Sequence, residues 1–143
     1  MIPKQKILEQ KVENLENIIV EEIVLWTGIS QGGNVIELNV SEYKRLKVKV
    51  QLSTFITFLE IDLIKQTSGV TKNNINYKYG NAIIAGALDG TQYINKCAVV
   101  VSEDKTKVMG YDFGYANLSA SWNFQNRDNS GNTWAVLQIA GIK

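Results

Sequence analysis

The side chains best suited to chemistry lie in Tyr111-Asp112-Phe113-Gly114-Tyr115 and, a few residues on, Trp122-Asn123-Phe124-Gln125-Asn126-Arg127-Asp128. Flat rings stack on the apolar face of a pyranose, while planar amides and carboxylates match pairs of hydroxyls. Arg127 adds a planar fork that can take an anion such as phosphate. These residue types predict a glycan-binding surface built from Tyr111, Tyr115, Trp122, Asn123, Asn126, Arg127 and Asp128. The competing reading is that Trp122 and Phe124, two apart, face a core and the polar residues after them are simply solvated.

Other chemistry is poorly supplied. The 143 residues contain no histidine, which removes the commonest general base and the commonest zinc ligand. The single cysteine, Cys97, sits in the apolar run Cys97-Ala98-Val99-Val100-Val101, reads as a small buried hydrophobe, and leaves no Cys-rich metal site. A glycosidase needs two placed carboxylates. The candidates Glu37, Glu42, Glu60, Asp62, Asp89, Glu103, Asp104, Asp112 and Asp128 fall mostly at turns or on solvent faces. Asp112-Phe113-Gly114 spells a kinase magnesium motif without its companion motifs, and Gly28 to Gly33 lacks the Lys-Ser/Thr of a phosphate loop. The sequence therefore predicts a binding module, not an enzyme, with no catalytic residue, no metal and no cofactor.

Composition sets the frame for that surface. With 45% hydrophobic and 20% charged residues, the chain can bury a sizeable core. A net charge of +1 gives no global field toward nucleic acid or an anionic membrane, and neither is an expected partner. No apolar run approaches the roughly 20 residues of a membrane-spanning helix, and the first residues lack the apolar core of a signal peptide. The sequence predicts a soluble chain.

Two kinds of element must position the surface. Residues 4–22 read as a helix, because Leu8, Val12, Leu15 and Ile19 alternate spacings of four and three. That stripe is the seam of a short coiled coil, with a helix packed on its own domain as the alternative. The choice between two and three strands stays open from the seam alone. The chain enters this helix at once, so residues 1–22 are expected to be the end of a longer shaft.

From residue 23 the period changes to two. Strands are predicted at 23–27, 35–40, 46–52, 55–64, 81–88, 92–102, 106–113, 116–125 and 133–142. A hairpin turn is predicted at Ser30-Gln31-Gly32-Gly33, and polar loops at 65–80 and 126–132. Short strands with frequent turns predict an antiparallel β-sandwich or jelly-roll-like domain over 23–143. Phe55, Ile56 and Phe58 begin a strand with no evident solvent face, which makes them candidates for a contact between chains.

The opening of this β region carries a resemblance. Leu25-Trp26-Thr27-Gly28, then Gly33-Asn34-Val35-Ile36-Glu37-Leu38, then Tyr43-Lys44-Arg45-Leu46-Lys47-Val48 resembles a pattern in tail-fibre proteins of phages that infect Gram-positive bacteria. The ending Trp134-Ala135-Val136-Leu137-Gln138-Ile139-Ala140-Gly141-Ile142-Lys143 is similar to the final strand of the same family. The match covers about a third of the β region and its last ten residues. It implies a homotrimeric receptor-binding head at the tail tip of a virion, joined to the rest of the tail through an N-terminal shaft. Its expected ligand is a cell-wall polysaccharide, with wall teichoic acid as the class. The matching motifs are structural strands, so no binding residue carries over from them.

Overall fold

A computed structural model of the chain describes residues 21–85, 93–117 and 123–143. The seam residues Leu8, Val12, Leu15 and Ile19, and Trp122 of the expected surface, lie outside these residues.

The described chain is almost entirely strand. In order these are β1 (Glu22–Gln31), β2 (Val35–Glu37), β3 (Arg45–Leu52), β4 (Phe55–Asp62), β5 (Val70–Lys72), β6 (Ile75–Ala85), β7 (Tyr93–Ser102), β8 (Lys107–Asn117), β9 (Gln125–Asn126) and β10 (Trp134–Ile142). A 3₁₀ turn over Gly131–Thr133 leads into β10. One antiparallel sheet has the order β1-β10-β3-β4. The other runs β2-β8-β7-β6-β5, with β9 also paired to β8. Most neighbours are consecutive along the chain, as hairpins or a meander; β10, set between β1 and β3, closes the first sheet over a long range.

The sheets form because apolar residues recur every second position. Leu46, Val48, Val50 and Leu52 of β3 are fully buried, while Lys47, Lys49 and Gln51 between them face outward. Across the core they meet Val99, Val101 and Val108 of the second sheet, with Ile139 and Val136 from β10. Each such side chain contributes roughly 1.5–3 kcal/mol by leaving water. A second, smaller cluster of Tyr77, Val100 and Met109 forms away from this core, covered by Val35, Val70, Ile75 and Tyr111.

Four expectations are corrected. Residues 65–80 are not a loop throughout, because β5 and the first half of β6 form a hairpin there. Its two turn residues, Asn73 and Asn74, have φ of 52° and 63°, the doubly left-handed turn whose twist matches paired strands. The turn at Ser30–Gly33 makes no hairpin. β1 continues through Gly28 with two register shifts against β10, and Gly33 (φ 85°) donates its N–H to the Gly110 carbonyl at 2.7 Å, so the chain crosses into the second sheet. No break separates the strands expected at 106–113 and 116–125: β8 runs on through Gly114 and Tyr115 to Asn117, and among the described residues beyond it Gln125–Asn126 form β9. Glu22, placed at the end of the helix by the sequence, pairs with Ile142 as the first residue of β1.

β4 sorts the expected contact residues. Phe55 packs against the core, whereas Ile56 and Phe58 lie on the outer face and are 48% and 47% exposed. Val24 of β1 is also exposed on that face, in line with Ala140 and Lys47.

Candidate binding site on the outer face of the larger sheet

A bulge decides where the aromatic residues of β8 point. Asp112 and Phe113 together oppose Cys97, and Asp112 has a φ of 57° in mid-strand. Residues 111 and 115 would share a face of a regular strand. The extra residue shifts the phase, so Tyr111 packs with Tyr77, Val100 and Met109 while Tyr115 packs on the central core. The structure separates these two tyrosines.

Tyr115 gathers most of the expected surface residues around itself. Its ring stacks on Trp134 (centroids 6.1 Å apart) and meets Tyr93 edge-on at 5.5 Å. The Arg127 guanidinium lies 4.8 Å above the same ring, and Nη2 donates to the Tyr115 oxygen at 2.9 Å. That hydroxyl in turn donates to Oε1 of Gln125 at 3.1 Å. Asp128 Oδ1 accepts from the Phe113 N–H at 2.8 Å, and Asn126 Oδ1 accepts from the Asp128 N–H at 2.7 Å. Arg127 N–H also donates to the Phe113 carbonyl. Arg127 and Asp128 thus tie their segment to β8, Asn126 braces the turn within the segment and pairs by its backbone with Gly114, and Asn123 stands at its start with an interaction of its own. This cluster is an anchor.

The opposite face of the sheet is shaped to receive something. Register places Gly80 beside Val100, Ala82 beside Ala98 and Tyr111, and Ile84 beside Lys96 and Gly114. The small side chains leave a groove of about 320 Å³ floored by Gly80, Ala82 and Ala98, with Tyr111 on one side and Thr67 and Ser68 on the other. The second wall is fixed by backbone: the Thr67 and Ser68 N–H groups both donate to the Lys78 carbonyl, and Thr67 Oγ1 donates to Gly80 O at 3.1 Å. A Cβ on Gly80 would stand 2.8 Å from Val100 Cγ1, so glycine is required where the wall closes on the sheet.

One strand step along, about 7 Å, the floor becomes charged. Lys96 Nζ lies 3.1 Å from the Asp112 carboxylate and 4.6 Å from the centre of the Phe124 ring, which is 41% exposed. Burial, then the Asp112 charge, raise the Tyr111 hydroxyl above its usual range, so it stays protonated at neutral pH. Beneath the floor, burial first and then Asp112 and Asp128 push the Cys97 thiol up to about 12, an inert group.

Of the expected surface residues that are described, only Tyr111 borders this groove. Sequence reading missed Lys96, whose partner is 16 positions away, and the floor. The signal for the floor was present: Gly80 and Ala82, two apart, followed by Ala98 in an otherwise bulky run. Among the described residues no group of three or more Cys, Asp or Glu is placed to hold a metal ion. Among the described residues, too, no helix is long and apolar enough to cross a membrane. Comparisons with known protein families, with curated proteins and with solved structures found no match to this chain.

Proposed function

We propose that this chain is the receptor-binding head of a phage tail fibre, a homotrimer that holds a bacterial cell-wall glycan without cleaving it. Wall teichoic acid is the class we put forward. The observation that carries the binding reading is the groove of Gly80, Ala82, Ala98 and Tyr111, continued by Lys96, Asp112 and Phe124. A shallow, open groove beside an aromatic ring suits one or two sugar units held weakly. Three such sites on one rigid body attach to a repeating polymer by avidity. The phage assignment rests on the resemblance of the first and last strands.

Ile56 and Phe58, two half-exposed apolar side chains side by side on β4, support association of chains through the outer face of the smaller sheet. The seam of Leu8, Val12, Leu15 and Ile19 would add a coiled coil and carry the head on the shaft that joins the rest of the tail. The same two side chains favour a second reading, a trimerisation cap whose receptor site lies elsewhere.

Incubating the protein with purified bacterial cell walls and sedimenting them separates the readings. The receptor reading expects the protein in the pellet, the wall polymer unshortened, and the protein released by added polymer. A cap stays in the supernatant, and a degrading enzyme shortens the polymer.

A further inference from the structure

We infer that the groove takes a neutral, hydroxyl-bearing pyranose of the glycan rather than its phosphate. The inference rests on the reading of this groove as the glycan site. The residues lining the groove, Thr67, Ser68, Gly80, Asn81, Ala82, Ala98, Val100 and Tyr111, carry no formal charge. Lys96, one strand step along the floor, is matched by the Asp112 carboxylate at 3.1 Å. A phosphate brought to Lys96 therefore meets a carboxylate of its own sign, and the two charges cancel at longer range. Arg127, the planar anion fork expected from the sequence, is stacked on Tyr115 and hydrogen-bonded to it, on the other face of the strand.

The same pair suits hydroxyls. Lysine only donates and an ionised aspartate only accepts, whereas a sugar hydroxyl does both. Two adjacent hydroxyls can therefore bridge Lys96 and Asp112, each satisfied in the sense it requires. Tyr111, which precedes Asp112 and lines the groove, offers a ring that can meet the apolar face of a pyranose, while Phe124 lies under the Lys96 ammonium and holds it in place. The bulge supplies the geometry: Asp112 is a non-glycine residue held at positive φ inside a strand, the kind of backbone outlier that concentrates where a side chain is aimed for binding.

The test turns on the sign of one substitution. Asp112→Asn removes the negative charge, and asparagine tolerates the left-handed backbone, so the fold is kept. Binding of the full chain to purified cell walls is measured for the parent, Asp112→Asn and Lys96→Gln, with methyl glycosides and glycerol phosphate as competitors. For a neutral sugar, both variants weaken binding about tenfold or more. Methyl glycosides then compete and glycerol phosphate does not. Parent binding also changes little up to about 1 M salt, where the Debye length is about 3 Å. If Asp112→Asn strengthens binding, or salt and glycerol phosphate abolish it, the ligand is the anion and the inference is overturned while the receptor reading stands. If the parent does not bind walls at all, both fall.

Discussion

Filling the groove floor separates binding from folding. Ala82 is exposed, pairs with Ala98 across β6 and β7, and lies between the Thr67–Ser68 wall and Tyr111. Ala82→Ile adds three carbons to a strand position where β-branched residues are preferred by up to about 1 kcal/mol. Partial cover of each added carbon by Ala98 contributes up to about 0.8 kcal/mol more. The sandwich should therefore be as stable as the parent or more stable by about 1–2 kcal/mol, a rise of a few degrees in Tm for a chain of this size. The same carbons occupy a groove of only about 320 Å³ and hold a sugar ring off Tyr111. A loss of about 1.4 kcal/mol per site is tenfold, and multivalent attachment to a repeating polymer amplifies it. The assay pairs thermal unfolding with titration of fluorescently labelled protein onto cell walls. Wall binding equal to the parent at an unchanged Tm would refute the groove as the site, and a Tm lowered by several degrees would refute Ala82 as exposed floor.

Three further outcomes follow from the same geometry. Asn74→Gly should stabilise the β5–β6 hairpin by some tenths of a kcal/mol and Asn74→Val destabilise it by about 1–2 kcal/mol, read by denaturant unfolding, because φ is 63° there. Ile56→Lys with Phe58→Glu should lower the sedimenting mass if the chain forms the proposed trimer, without lowering the unfolding temperature of the single chain, since both side chains are about half exposed. Asp104 is held down to about 2, first by the Ser102 hydroxyl and then by the Thr106 hydroxyl and N–H. Its folded value is below the ordinary one near 3.9, so its contribution is present above about pH 4 and lost as pH falls through about 2. Asp104→Asn should therefore melt below the parent at pH 6, with the gap closing toward pH 2.

The sequence showed the fold where side chains simply alternate. Leu46-Val48-Val50-Leu52 points inward as its period requires, and the two-layer antiparallel class follows from many such runs. It failed where the local rule was a backbone conformation. The stretch 65–80 is polar enough to read as loop, yet a two-residue turn at Asn73-Asn74 folds it onto the sheet. Gly28 looked like a strand end because irregularities in β1 do not change composition. The site was lost to one residue. The bulge at Asp112 puts Tyr111 and Tyr115 on opposite faces, so an apparently single aromatic surface became a structural anchor around Tyr115 and a separate groove beside Tyr111. Lys96 and Asp112 come together only through strand pairing, which single-chain spacing does not encode.

Attachment to a cell-wall glycan is tested by binding of the labelled protein to two isogenic Gram-positive strains, one of which lacks wall teichoic acid. Labelling of the parent strain should be saturable, strongly reduced on the deficient strain and restored when the polymer is restored. Equal labelling of both strains would contradict it.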